Sequence, residues 1–239
     1  TSQPNQAWWL KIIVGEPSRF TGAPRGTGKS MTSLWLDGRV PRNESASIPN
    51  AEVLVVGAGL TGLVTAVLLA RAGKRVVVVE ARAPGACTTG NTTAKISLLQ
   101  GTRLSAIAKH HSLQVVRHYL EGNRQGQAWL TQYCAENGVD VQYEDAITFA
   151  GTERGVAPTR TEFDACIEAG LDVDWVDEVD VPFDFHGGVR LARQAQFNPM
   201  PFLDALVSEL TERGGRLVTG RRVHAATVTG GRVRLEVRR

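Results

Sequence analysis

The sequence is poor in cysteine. Cys87, Cys134 and Cys166 are the three cysteines among 239 residues, widely spaced and without CxxC or CxH pairing. That excludes a recognisable zinc or iron–sulfur site and suits a reducing compartment, so a cytoplasmic location is expected. Long apolar runs are also missing. None reaches the roughly eighteen residues of a membrane span, so no membrane-spanning segment is expected. The five histidines, His110, His111 and His118 among them, stand in no carboxylate-rich spacing that would make them ligands, so no metal is expected. Aromatic residues are 6% of the chain and do not interleave with the arginines as stacking platforms do, which argues against nucleic acid. The net charge of +3 is no sign of a polyanion partner, because residues 1–50 hold six basic and three acidic side chains while residues 51–239 hold twenty-one of each. An acidic run at 172–184 and a basic one at 213–239 read as solvated faces that could complement each other.

What is present begins with a segment that does not resemble a domain. Residues 1–30 start without Met, are rich in Pro, Gly and polar residues and show no sustained period. They read as a leader, with Met31 a natural start and residues 31–50 a linker. The apolar patch at 7–14 is interrupted by Lys11 and lacks both a preceding basic segment and a following small-residue cleavage site, unlike a secretory signal. APRGTGKS at 23–30 looks like a Walker A loop with Ala23 in place of the first glycine. A working P-loop needs a hydrophobic strand before it and a long helix after it. Residues 16–21 are polar and irregular, and the stretch after the loop meets Gly38 and Pro41 within about two turns, so the match reads as accidental.

The organising stretch is EVLVVGAGLTGLVTAVLLARAGKRVVVVE at 52–80. Val53 to Val56 and Val76 to Val79 are β-branched runs suited to strands buried on both faces. Between them Leu60, Val64, Val67 and Leu68 recur at helical spacing, and Gly73 stands where a left-handed cap ends a helix. The unit is therefore β-α-β. The turn Gly57-Ala58-Gly59-Leu60-Thr61-Gly62 matches GxGxxG: Gly57 permits the tight turn, Gly59 lets backbone approach a pyrophosphate, and Gly62 lets the helix lie close. The helix N-terminus then faces phosphate. Glu80 ends the second strand with a carboxylate that can accept from ribose hydroxyls and would repel a 2′-phosphate, which disfavours NADP.

After Glu80 the text ARAPGACTTGNTTAK is a loop dense in small side chains, hydroxyls and N–H groups, suited to wrapping along a polar ligand. Cys87 within it reads as a small polar filler more readily than as a redox thiol. GAGLTGL, VVVVEAR and GACTTGNTTAK together resemble the flavin-binding start of the D-amino-acid oxidase family, which includes glycine oxidase and sarcosine oxidase. The likeness is greatest to a branch whose FAD domain is followed by a Rieske-type domain, for which this sequence has no CxH and CxxH pattern. The resemblance runs from Met31 to about Arg239. It implies FAD as cofactor, with Gly57, Gly59, Leu60, Thr61 and Gly62 on the pyrophosphate, Glu80 on the ribose, and Ala81 and Arg82 near the adenosine. Thr88, Thr89, Asn91 and Thr92 would line the path toward the ring, and the backbone at Val223 would lie against adenine.

The pattern is helical over 102–137, strands are expected at 141–149 and 173–176 with helix at 162–169 between them, and a further strand is expected to include 188–191. Asn198 and Pro199 open a helix that runs to Gly214 and Gly215, followed by strands at 216–219 and 223–228 and a Gly230-Gly231 turn into 233–237. This long excursion before the returning elements separates FAD from NAD, whose domain would continue with a regular βα series. The expected fold is α/β: a Rossmann-like parallel sheet in a three-layer FAD-binding domain at 51–96 and 196–239, with part of a mixed α+β substrate domain at 97–195. By resemblance the chain is the N-terminal part of a longer FAD-dependent oxidoreductase, moving hydride from the carbon of an amine or amino acid to flavin and then electrons to an unidentified acceptor. No catalytic acid or base is assigned. An NAD-binding dehydrogenase domain and a nucleotide-binding module without activity remain the alternatives.

Overall fold

A computed structural model describes residues 12–15, 33–39, 47–230 and 232–238. In chain order its elements are β1 (Ile12–Gly15), β2 (Val53–Val56), α1 (Leu60–Arg71), β3 (Val76–Val79), β4 (Lys95–Ile96), α2 (Arg103–Ala108), α3 (Leu113–Glu136) and β5 (Val141–Phe149). They continue with α4 (Glu153–Ala169), β6 (Asp174–Val176), β7 (Gly188–Phe197), α5 (Pro199–Glu212), β8 (Arg216–Val218), β9 (Arg222–Thr229) and β10 (Arg232–Arg238). The described residues fall into two compact units: 33–39, 47–94, 198–230 and 232–238 in one, and 12–15 with 95–197 in the other.

In the first unit β2, β3 and β8 form a parallel sheet in that order, with Val53 opposite Val76 and Val79 opposite Val218. All four valines of β3 are buried, as a central strand covered on both faces requires. Full burial of each stabilises the fold by about 1.5–3 kcal/mol. Val77, Val79 and Val218 pack with Val223 and Leu235 of the β9–β10 hairpin and with Leu54. Val76 and Val78 point to the opposite face, since side chains alternate along a strand. The helices α1 and α5 lie side by side. They bury Leu63, Ala66 and Val67 from one and Phe202, Leu203, Leu206 and Leu210 from the other. A bidentate pair from Arg71 Nε and Nη2 to Glu209, at 2.7 and 2.9 Å, links their exposed sides. Helices, parallel sheet and hairpin make three layers. Each helix ends as its sequence predicts. Gly73 N–H to Ala70 O and Lys74 N–H to Leu69 O, both 3.0 Å, close α1, and Asn198 Oδ1 accepts from Met200 N–H at 3.0 Å to open α5.

In the second unit β5 and β7 pair antiparallel, with β4 and β6 also on β7 and β1 parallel to β5. One core gathers Leu104, Val116, Leu120, Ala146, Cys166, Val189 and Leu191 from α2, α3, α4 and the sheet. Glu162 lies inside this unit, 1% exposed, and accepts from Leu104 N–H at 3.0 Å and Ser105 N–H at 2.8 Å. It thereby satisfies the otherwise orphaned start of α2.

Several expected boundaries move. The helix expected at 162–169 begins at Glu153: Gly155 and Pro158 interrupt its period, and Pro158 stands inside the helix, where it removes one backbone donor. The strand expected at 188–191 continues to Phe197 through a bulge. Arg193 there has φ 54°, and the register slips between Glu144 and Ala146, which breaks the alternation that would have revealed it. The helical stretch 102–137 divides at 109–112, and His110, His111 and His118 are exposed. The strand β1 lies inside the stretch read as a leader, pairing Ile12 with Ala146 and Gly15 with Phe149. The Walker-like match at 23–30 and Met31 lie outside the described residues.

Candidate functional site

The glycine turn grows directly out of the parallel sheet. Gly57 N–H donates to Val79 O at 2.8 Å, one step past the β2–β3 ladder, and Gly57 then takes φ 101°, a conformation that a side chain would strain. At Gly62 the demand is space rather than dihedral. A Cβ there would run into the Gly57 carbonyl oxygen and come within 3.5 Å of Val55 Cγ1, so the first turn of α1 can sit on the strand end only without one. Gly59 is the N-cap of α1 and supplies no side-chain cap. The cap comes from elsewhere: Thr89 Oγ1 accepts the Leu60 N–H at 3.0 Å.

Glu80 is 9% exposed, and both of its carboxylate oxygens accept backbone hydrogen bonds. Its Oε2 accepts from Ala58 N–H at 2.8 Å and its Oε1 from Arg82 N–H at 2.7 Å. Its own N–H donates to Val218 O at 2.8 Å, and its carbonyl accepts from Arg221 N–H at 3.0 Å. One residue therefore fastens the glycine turn, the central strand and the β8–β9 connection. A carboxylate has about four lone-pair sites, so two backbone donors leave capacity for hydroxyl donors.

The loop after Glu80 folds back on the turn. Gly85 N–H donates to Ala58 O at 3.0 Å, and a 3₁₀ turn at Thr89–Asn91 follows. Asn91 Nδ2 donates to Cys87 O at 2.7 Å, Thr92 Oγ1 accepts from Ala94 N–H at 3.1 Å, and Arg82 Nη2 lies 2.6 Å from the Cys87 sulfur. Gly57, Gly59, Leu60, Gly62, Glu80, Arg82 and Thr89 are thus brought into one cluster. Thr61 and Thr88 are exposed beside it and Ala81 is half-buried. Val223 packs by its side chain against Val77, Val79 and Val218, two residues beyond the Arg221 N–H that meets Glu80.

One participant gave no signal in the sequence. Trp35 Nε1–H donates to Thr92 O at 2.7 Å across fifty-seven positions, from a segment that reads as linker. Away from the turn, burial pushes the Cys134 thiol up to about 11, and burial together with the Glu162 carboxylate pushes Cys166 to about 12, so both are protonated structural thiols. Cys87 is exposed. Among the described residues no group of His, Cys, Asp and Glu could hold a metal ion, and no helix is long and apolar enough to cross a membrane.

A parallel sheet whose first βα turn carries GxGxxG, with an acid closing the next strand, defines a dinucleotide-binding fold of the doubly wound α/β class. Residues 52–238 match the family described as FAD dependent oxidoreductase, and the chain belongs to that family. It is 29% identical over 168 residues to a Bacillus subtilis (strain 168) protein described as a Rieske 2Fe-2S iron–sulfur protein, a match covering 70% of this chain and 33% of that one. Two solved structures share the fold. L-α-glycerophosphate oxidase from Mycoplasma pneumoniae, with FAD bound, has a TM-score of 0.63 at 15% identity over 80% of this chain and 50% of its own. Glycine oxidase from Geobacillus kaustophilus has a TM-score of 0.59 at 15% identity over 78% of this chain and 51% of its own. The chain thus spans between a third and about half of the length of these relatives.

Proposed function

We propose that this chain binds FAD and forms the nucleotide-binding part of a cytoplasmic oxidoreductase acting on an amine or amino acid. The observation that carries the reading is the Glu80 carboxylate, held at the end of β3 by two backbone N–H groups beside the glycine turn. The residues present fit the dinucleotide. Gly57 and Gly62 leave a bare turn where any side chain would be strained or would collide, and the start of α1 is an N-terminus suited to pyrophosphate. Gly57, Gly59, Leu60, Thr61 and Gly62 would hold the pyrophosphate, Glu80 the ribose hydroxyls, Ala81, Arg82 and the Val223 backbone the adenosine, and Thr88, Thr89, Asn91 and Thr92 the way toward the ring.

Bound FAD supplies a hydride acceptor, and the protein's part is to orient it and to exclude water. Amine oxidation is supported by relatives named as glycine oxidase, L-amino acid deaminase and L-proline dehydrogenase. The acceptor of the electrons is left open. Residues 97–195 would contribute to the substrate side, and residues 1–30 would be dispensable for nucleotide binding. The test is to equilibrate the purified chain with FAD, ADP, NAD and NADP and to record the flavin band of the protein as isolated. FAD and ADP should bind and NADP should not. Binding of NAD in preference to FAD would overturn the reading in favour of a nicotinamide dehydrogenase.

A further inference from the structure

Residues 33–39 precede the stretch that matches the family, 52–238, yet they reach the loop beside the glycine turn. Ser33 starts a tight turn: its carbonyl accepts from Leu36 N–H at 2.9 Å and Asp37 N–H at 3.1 Å, and its hydroxyl accepts from Trp35 N–H at 3.3 Å. From that turn three side chains make anchored contacts. Trp35 Nε1–H donates to Thr92 O at 2.7 Å. Leu36 lies over Gly90, so closely that a Cβ on Gly90 would come 2.7 Å from Leu36 Cδ2. Arg39 Nη2 donates to both carboxylate oxygens of Asp204 on α5, at 2.8 Å each.

The first two of these contacts fall on the loop that carries Thr89, whose hydroxyl caps α1. Apart from the Thr89 hydroxyl on Leu60 N–H, the bonds the loop makes for itself reach no further than five residues: Gly90 N–H to Gly85 O at 2.8 Å, Asn91 N–H to Thr88 O at 3.1 Å, Thr92 N–H to Thr89 O at 3.4 Å and Asn91 Nδ2 to Cys87 O at 2.7 Å. Its side chains are small, with Thr88 and Asn91 exposed and only Gly90 buried. Fixing such a segment costs conformational entropy at every residue, and a site that leaves this cost to be met on binding loses affinity. An indole donor at the Thr92 carbonyl and an aliphatic side chain on Gly90 pin the loop from a segment more than fifty residues earlier in the chain.

We propose that residues 33–39 are a clasp that sets the conformation of the 88–92 loop before nucleotide arrives, and that Trp35 is thereby a positioning residue for the bound dinucleotide. The nucleotide half of this statement rests on the FAD reading above; the loop half does not. Arg39 is a weaker anchor, because its ion pair is about one-third exposed on both partners and solvent screens it.

The test uses the 239-residue chain and its Trp35→Phe variant, which keeps an aromatic ring and removes the N–H, with Leu34→Ala as control because Leu34 is 66% exposed. Amide hydrogen exchange is followed at Gly90, Asn91 and Thr92 without ligand, and the dissociation rates of FAD and ADP are measured well below the melting temperature. In Trp35→Phe those amides should exchange about fivefold faster and both nucleotides should leave faster by a similar factor, the worth of one neutral hydrogen bond. Amides of α1 beyond its first turn and of α5 should keep their protection, as should every site in Leu34→Ala. Trp35→Ala should enlarge the effect. Unchanged exchange at 90–92 in both Trp35 variants would overturn the clasp, and faster exchange with unchanged nucleotide release would overturn the positioning role. If the parent chain binds neither FAD nor ADP, the FAD reading fails, and with it the positioning role, while exchange at 90–92 still decides the clasp.

Discussion

The Glu80 carboxylate accepts the Ala58 N–H at 2.8 Å, so the acid that closes β3 also grips the glycine turn. It grips the start of the following loop as well, through Arg82 N–H at 2.7 Å. Sequence reading assigned Glu80 to the ribose alone, and on that view its removal would touch binding and spare the fold. The two backbone bonds change the expectation. Glu80→Gln keeps one acceptor and should weaken ADP and FAD binding by roughly 1.5–3 kcal/mol, the worth of hydrogen bonds to a charged group. Both variants should also lower stability, by about 1–3 kcal/mol for each N–H left without a partner, one in Glu80→Gln and two in Glu80→Ala. Denaturant midpoints and nucleotide titrations on both variants check this, and unchanged affinity in folded Glu80→Gln would take the carboxylate out of the site.

Gly62→Ala should be more damaging than its single methyl suggests. The added Cβ would meet the Gly57 carbonyl oxygen, which is backbone and cannot rotate away. Either α1 lifts from the strand end or the turn deforms, and overpacking of this kind costs typically 1–3 kcal/mol. ADP affinity should fall by more than tenfold. The comparison is Gly59→Ala, whose Cβ would come 3.2 Å from Thr89 Oγ1, the end of a side chain that can rotate. A Gly62→Ala protein as stable and as tight-binding as Gly59→Ala would contradict the packing account.

How much of this was legible in the sequence follows from how local each determinant is. The strands Val53–Val56 and Val76–Val79 and the helix between them are fixed by composition and period within thirty residues, and their bounds emerge as read. The hairpin likewise follows from Gly230 between two β-branched runs. Elements whose pattern carries a defect read short in the sequence: α4 extends N-terminally past Pro158, and β7 continues beyond the bulge at Arg193 that reverses the alternation. Contacts set by tertiary structure left no trace. Neither Trp35 on Thr92 nor Glu162 at the start of α2 has a spacing signature, because partners fifty-seven and fifty-eight residues apart meet only once the chain has folded.

Glu162 gives the fold a pH dependence of defined sign. Burial raises its carboxyl above the ordinary value of 4.5, an effect only partly offset by the N–H groups of Ser105 and Leu104. A raised folded value means that the folded state binds this proton more tightly than the unfolded state. The contribution to stability is therefore greatest below the ordinary carboxylate range and is lost as pH rises from 4.5 through the raised value. Glu162→Ala should remove that slope above pH 4.5, and should cost stability at every pH because Leu104 and Ser105 lose their acceptor, about 1–3 kcal/mol for each buried N–H. Urea melts of both proteins between pH 4 and 8 decide it. Parallel pH profiles would show that Glu162 does not titrate in this window.

The last expectation concerns how the chain divides its hold on FAD. The clustered site residues lie where pyrophosphate and ribose would be bound: the glycine turn, Thr89 on Leu60 N–H, and Glu80. Among the described residues no comparable cluster marks a place for the isoalloxazine ring, and the chain spans 33% of the Bacillus subtilis relative and about half of the two solved structures. The ring is a large, mostly apolar surface. At about 25 cal/mol per Å², each hundred Å² left uncovered forgoes roughly 2.5 kcal/mol, which is nearly two decades of affinity. FAD should therefore bind this chain no more than about tenfold more tightly than ADP, and the flavin should be lost during gel filtration. Calorimetric titration with each nucleotide, together with flavin absorbance per chain before and after filtration, measures both. An FAD affinity a hundredfold or more above that of ADP would mean that this chain itself buries the ring, and residues 97–195 would then be where its contacts should be sought.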